Sequence, residues 1–381
     1  PKKTVEQVLQ QVEAEHPKPA DLLKTTQDAL DSLRQFLVDK KIVTIPASAP
    51  AHVQETPPFM RSTTSASMDT PGPFETTATE AYYNMTLPDP RWSAAEQLDF
   101  MRQWYYPSIA NVSVHEVYPG HYLQFLYAKQ FPTLTRKVYS ANTNVEGWAH
   151  YAEQMMIDEG FHANEPAYRL AQLQDALLRN VRFIVGIKMH TQGMTVEQAR
   201  QLFLTQGHQP AAVALSEAKR GAGDPLYGYY TMGKLAILKL RDDYSVKLGA
   251  AFSLQKFHDA FIAVGPLPLP LVREKMLGAR GEFRDGAREH AAELEVVGAH
   301  GQAIERADPL LPPRRHAAGE RLHNQHVTAG RRRRDERRQE AGARVAREFI
   351  HRPGEDDGRR RAVRALGSAC RGGDHVAALC A

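Results

Sequence analysis

Cysteine is almost missing from this 381-residue chain: its two examples, Cys370 and Cys380, stand at the very end. A body without thiols excludes a disulfide framework, a cysteine nucleophile and a thiolate metal site, so metal chemistry there has to use histidine and carboxylates. Long apolar runs are missing too. No stretch of eighteen apolar residues occurs, and the opening PKKTVEQVLQQVEAEHPKP has no apolar core followed by small residues, so neither a membrane span nor a signal peptide is expected. The chain opens on Pro1 rather than Met, which leaves room for an upstream segment. The compartment therefore stays open: periplasmic or secreted if such a segment carries a signal, cytoplasmic otherwise.

Lysine and aromatic residues are scarce in one part only. Residues 279–381 hold 21 Arg, no Lys and 16 acidic residues, with Phe283 and Phe349 as their whole share of 31 aromatics. The other 278 residues carry 27 basic and 28 acidic side chains, so the formal charge of +4 belongs to the tail. A segment so poor in aromatics does not easily build a core. The runs RRRRDERRQEAGARVAREF and GRRRAVRALGSACRGG have the texture of a GC-rich coding sequence read in the wrong frame. Residues 279–381 are accordingly expected to be a disordered or frame-shifted tail, and residues 1–278 the folded domain.

The body shows helical periodicity. Thr4 to Asp39 predicts two helices interrupted by His16-Pro-Lys-Pro, with Val5, Val8, Leu9 and Val12 on one face of the first. Lys41 to Ile45 and the proline-rich stretch to Tyr83 predict short strands and irregular loop, a segment able to border a cleft. Ser93-Ala-Ala-Glu96 is a capping box that starts a helix running toward Tyr106. Pro107 suits the first turn of the next helix, expected to continue through His115 and His121 to Phe131. Further helices are predicted over 144–159, 166–190, 195–205, 226–248 and 254–264. The fold class is mainly α with a few short strands.

One of these helices carries His115-Glu116-Val-Tyr-Pro119-Gly120-His121. In an HExxH helix the two histidines lie one turn apart and face one zinc ion, while the glutamate beside the first polarises its water. Here the spacing is stretched, and at about 100° per residue His121 would stand roughly 120° away from His115 on an undisturbed helix. Pro119 removes an amide donor and Gly120 opens backbone angles closed to other residues, so the pair can bulge and return His121 to the face of His115. The alternative is that Pro-Gly ends a helix and the histidines are ordinary surface or core residues. Downstream, Glu146, His150 and Glu153 share one helix face among Trp148, Ala149, Tyr151 and Ala152. Three ionisable groups there are costly against a core unless paired or ligating; a solvated polar face is the other reading.

HEVYPGHYLQ, followed about 25 residues later by EGWAHYAEQ, resembles the bacterial domain-of-unknown-function family 885, itself similar to zinc metallopeptidases. Arg182-Phe-Ile-Val-Gly-Ile-Lys-Met-His190, Tyr230-Thr-Met-Gly-Lys-Leu and Phe257-His-Asp-Ala-Phe extend the likeness, which runs from about Ile42 to Gly278. The resemblance implies a helical zinc-metallopeptidase-like domain holding one Zn2+ on His115, His121 and Glu146. His150 and Glu153 would orient an imidazole through its free ring nitrogen. Glu116 would be the general base, with Tyr230, Arg182 and His190 as candidate donors to the oxyanion and Tyr227 and Tyr229 competing for the tyrosine role. The function expected is zinc-dependent hydrolysis of a peptide or peptide-like substrate. A closed, non-catalytic metal site and an inactive peptidase-like fragment are the rivals. A nucleic-acid partner for RRRRDERR is not expected, because Asp335 and Glu336 interrupt it and no aromatic residue is there to stack on bases.

Overall fold

The computed structural model describes residues 3–278, apart from 47–49, 62, 63 and 79; the expected tail lies outside the described residues. Helix α1 (Val5–Glu13) opens on a capping box between Thr4 and Gln7. After a short 3-10 turn at Pro19–Asp21, α2 (Leu22–Lys40) buries Leu22, Leu30, Leu33 and Leu37 and ends where Lys41 adopts a left-handed conformation. The proline-rich stretch contains three strands, β1 (Ala51–Glu55), β2 (Ala66–Asp69) and β3 (Ala81–Met85), in the order β1-β3-β2. β1 runs parallel to β3 with Ala51 opposite Ala81, and β2 runs antiparallel with Ala66 opposite Met85. Tyr83 and Met85 are completely buried and anchor the sheet to the helical core.

The Ser93–Glu96 capping box starts α3 (Ala94–Met101), which tightens into a 3-10 turn at Arg102–Trp104 short of the expected Tyr106. Pro107 stands in the first turn of α4 (Tyr106–Glu116). The single helix expected from there to Phe131 is instead α4, α5 (His121–Leu126) and a 3-10 turn, Tyr127–Gln130. Then follow α6 (Leu134–Val138), α7 (Asn142–Asp158), α8 (Pro166–Gln192), α9 (Val196–Thr205), α10 (Ala211–Gly223), α11 (Tyr229–Leu248), α12 (Leu254–Val264) and α13 (Leu269–Leu277). Helices α6, α10 and α13 were not expected. α10 is built on alanine and glycine, whose small side chains make a faint apolar stripe, and α13 has Pro270 in its first turn, where a missing amide costs nothing.

Two apolar clusters hold this body together. The larger joins α2, the sheet, α4, α7, α11, α12 and α13 around Trp148, Tyr151, Phe257 and Phe261; the smaller packs Leu178, Val185, Phe203 and Tyr227 under α8, α9 and α10. Burying each of these large side chains contributes about 1.5–3 kcal/mol before entropy is counted. Helices α7 and α11 meet backbone to backbone. A Cβ on Gly147 would stand 2.5 Å from the Cα of Gly233, and one on Gly233 would stand 1.9 Å from the carbonyl of Thr143. Only glycine at both positions allows that approach, and it sets the first turns of the two helices, bearing Glu146 and Tyr230, side by side. Among the described residues no helix is long and apolar enough to cross a membrane.

Candidate metal centre

The site begins where α4 ends. Pro119 has no amide to continue a helix, and Gly120 turns back so tightly that a Cβ there would lie 1.8 Å from the carbonyl oxygen of His115. The amides of Tyr118 and Gly120 donate to the carbonyls of Ser113 and Val114 at 3.2 and 3.0 Å, and Trp148 Nε1 donates to the Pro119 carbonyl at 2.9 Å. The result is not a bulge within one helix but a break between two, with α5 restarting at His121. The break does bring the histidines together: their ring centroids are 4.7 Å apart and their planes nearly perpendicular, at 84°.

Glu146, from the first turns of α7, meets both. Its Oε2 lies 3.3 Å from His115 Nε2 and 3.4 Å from His121 Nε2, and one ligand atom from each of the three residues falls within 4.8 Å of the others. Two ligands held tetrahedrally at about 2.0–2.1 Å from one zinc ion stand about 3.3 Å apart. Glu146 Oε2 is buried, yet among the described residues it accepts no hydrogen bond, although two imidazole nitrogens are so near; His121 Nδ1 is likewise buried without a partner. Oxygen and nitrogen atoms crowded at this distance without hydrogen-bond geometry fit a cation between them.

Behind the trio stands Glu153, fully buried and saturated. It takes His115 Nδ1 at 2.7 Å, His150 Nδ1 at 3.1 Å and Arg179 Nη2 at 3.0 Å. Burial opposes its ionisation, but Arg179 and the two histidines hold it well below the usual carboxylate range. Arg179 also pairs with Asp175 at 3.2 Å, and Asp175 accepts from Asn111 at 2.6 Å. His150 therefore supports Glu153 rather than either cleft imidazole. Burial next to the Lys234 ammonium lowers it to about 3, so it is a neutral donor. For His115, burial opposes a proton, yet the carboxylates of Glu146 and Glu153 on its two nitrogens win and pull it up to about 10. Burial also works against the charge of Glu146, which His121 and His115 nonetheless hold well below its usual value. Glu116, partly exposed on the cleft, has its carboxyl raised by burial and by the neighbouring Glu146 carboxylate, with His121 and His115 pulling the other way. Glu116, Glu146, Glu153 and Asp175 stand around the Arg179 guanidinium, with the Lys234 ammonium beside His150.

The model of the family described as bacterial protein of unknown function (DUF885) matches residues 1–276. The chain belongs to this family. No curated protein matches it. Among solved structures it is similar to a "putative lipoprotein of unknown function" from Shewanella oneidensis, with 29% identity over 71% of this chain and 48% of that one, at a TM-score of 0.64. It also shares its fold with a "putative lipoprotein" from Colwellia psychrerythraea, at 24% identity over 68% of this chain and 42% of that one, with a TM-score of 0.59. The chain thus spans about half the length of these relatives.

In this DUF885 chain the centre opens on a cleft of about 570 Å³, walled by residues of the sheet edge, α4, α8, α10 and α11. Tyr230 lines it, its ring centroid 6.4 Å from that of His115, and its hydroxyl accepts from Arg220 Nη2 at 2.9 Å. Arg182 lines the cleft too, but one edge of its guanidinium, Nε and Nη2, is spent on Glu217, at 2.6 and 2.7 Å, and it stacks over Tyr230. That pairing makes it a brace for the tyrosine. His190 does not reach the cleft: eight residues beyond Arg182, about 12 Å along α8, it is exposed and bonds the Gly221 carbonyl at 2.9 Å. Of the competing tyrosines, Tyr227 is bound to Glu217 and Tyr229 to Asp224, and neither lines the cleft. Arg179, Asp175 and Arg220 escaped the sequence reading. Arg179 and Asp175 had a signal, an i, i+4 pair of opposite charges on an apolar helix; Arg220 had none.

Proposed function

We propose that this chain is a zinc-dependent peptidase. The observation that carries the reading is the convergence of His115, His121 and Glu146 on the wall of an open cleft, with Glu146 Oε2 at 3.3 and 3.4 Å from the two Nε2 atoms, the spacing of neighbouring ligands on one zinc ion. Two imidazoles and one carboxylate are a donor set for zinc that leaves a coordination position open to the cleft. Bound there, zinc would supply a Lewis acid for the scissile carbonyl and lower the pKa of a water toward ~7. Glu116, adjacent to His115 and raised by its surroundings, takes the proton from the attacking water and returns it to the leaving amine. Tyr230 donates its hydroxyl hydrogen to the developing oxyanion, because Arg220 occupies its lone pair and fixes its direction. Glu153 holds His115 in the tautomer that presents Nε2. The similarity to proteins described as lipoproteins supports a place of action outside the cytoplasm, periplasmic or secreted.

Elemental analysis and peptide hydrolysis, measured on the wild-type chain and on Glu116→Gln and His121→Ala, test this. Glu116→Gln should keep its zinc and lose about 10²–10⁴-fold in rate, the range for a general base. His121→Ala should lose both. Full activity in either variant would overturn the assignment.

A further inference from the structure

Helix α10 turns Val213, Ser216, Glu217 and Arg220 toward the cleft. Their offsets of three, four and seven residues put them on one face. The carboxylate of Glu217 is consumed by Arg182 and Tyr227. Arg220, one turn on, is left without an ion pair among the described residues: its one hydrogen bond there goes to the neutral hydroxyl of Tyr230, and its guanidinium lies over the Tyr227 ring at 5.3 Å. The other arginines on the cleft wall are differently placed. Arg61 pairs with Glu55, Arg179 with Glu153 and Asp175, and Arg102 stands in the field of Glu13. Arg220 is thus a solvent-reachable guanidinium with donors to spare, linked to the metal centre through Tyr230: its Nη2 lies 2.9 Å from the Tyr230 hydroxyl, and the Tyr230 and His115 ring centroids are 6.4 Å apart.

Resting on the peptidase reading, we propose that Arg220 binds the free C-terminal carboxylate of the substrate, so that the chain removes residues from the C-terminal end of peptides. The metal centre is rich in carboxylates, and a substrate bringing another carboxylate close to it is repelled unless a cation receives it. A substrate cleaved internally has no such need. The geometry suits the task, since His115, Tyr230 and Arg220 line one cleft in that succession, a span that a few extended residues at about 3.5 Å each cover. Arginine offers paired N–H groups that match the two oxygens of a carboxylate, and Tyr230 occupies one of its donors while others remain.

The test measures binding, so it does not depend on catalysis. An N-acetylated tetrapeptide and its C-terminal amide are titrated by calorimetry into the full chain, zinc-free and zinc-loaded, and into Arg220→Gln, Arg220→Lys and Arg102→Gln. The free acid should bind about 10- to 100-fold more tightly than the amide, the range of a charge-assisted hydrogen-bonded pair. Arg220→Gln should erase that preference, Arg220→Lys should keep part of it, and Arg102→Gln should keep it. Equal binding of acid and amide by the wild-type chain, or no binding of either, overturns the proposal. So does an equal loss for both ligands in Arg220→Gln, which would leave Arg220 as a support for Tyr230 alone. If the preference holds while no peptide is hydrolysed, the carboxylate site stands and the peptidase reading falls.

Discussion

Helix α7 turns Trp148 and Tyr151 toward the aromatic core and Glu146 toward the cleft, with His150 and Glu153 buried behind it, and on each side a neighbouring helix presses a buried histidine against it. On the core side His258 has both ring nitrogens satisfied by neutral groups, the Tyr151 hydroxyl and the Ile42 carbonyl, each at 2.8 Å. Burial therefore decides its state and lowers it to about 4. On the cleft side His115 is as deeply buried, but its two nitrogens face Glu153 and Glu146, and it is pulled up to about 10. Equal burial gives opposite charge. What separates a packing histidine from a ligating one is the charge of its partners, together with whether any buried atom beside it is left over: the core pair leaves none, and the cleft leaves Glu146 Oε2 and His121 Nδ1.

The largest way to break this contrast is to remove the cleft-side carboxylate that α7 holds behind the histidines. Glu153→Ala strands Arg179, buried, with only Asp175 at 3.2 Å, and should cost about 3–5 kcal/mol in urea unfolding. A loss below about 1 kcal/mol would mean that water reaches Arg179, and that Glu153 is not the fixed support for His115 described above.

The core side should show its difference in pH dependence. The folded chain keeps His258 neutral down to about 4, while the unfolded chain accepts a proton there near 6.5. Its stability contribution is therefore complete above about pH 6.5 and lost as pH falls toward 4, amounting to about 3 kcal/mol. His150, lowered to about 3, adds a loss of the same sign that continues lower. Unfolding free energies of His258→Asn, followed from pH 7 to pH 4, should fall by about 3 kcal/mol less than those of the wild-type chain. Equal falls would show that the core admits the proton without cost.

How much of this was legible in the sequence differs between the two sides of α7. The stripe on the cleft side was readable because Glu146, His150 and Glu153 are ionisable residues at helical spacing among apolar ones, and the pairing of His115 with a carboxylate from that stripe is seen in the fold. The break at Pro119-Gly120 was half legible: proline and glycine signal a disturbance, but whether a helix bulges or stops depends on what the freed carbonyl meets, and Trp148 lies 29 residues away. Partners that come from other helices were invisible for the same reason. Nothing near Glu153 in the chain announces Arg179, and nothing near Tyr230 except its own helix announces that α10, an alanine-rich segment with a faint apolar stripe, supplies Arg220. His190 misled because a family-like stretch was read as one functional unit, although a helix carries its residues 1.5 Å further from a site with each step.

The smallest expected effect sharpens the comparison most, because it acts on one side of α7 and should leave the other untouched. Zinc at 100 times its dissociation constant should raise stability by about 2.7 kcal/mol, since it binds the folded centre and not the unfolded chain. His121→Ala should abolish that increment, and His258→Asn should keep it even though its baseline is lower. The increment must also fall on acidification. His115 holds a proton up to about 10 in the absence of metal, so each zinc has to displace one at neutral pH, and its apparent affinity drops about tenfold for each unit of pH below that value. Thermal unfolding at fixed zinc from pH 9 to pH 7 checks this. An increment that ignores pH would mean that the metal sits somewhere other than on His115, and that the contrast between the two histidines reflects their carboxylate neighbours without any metal-binding role.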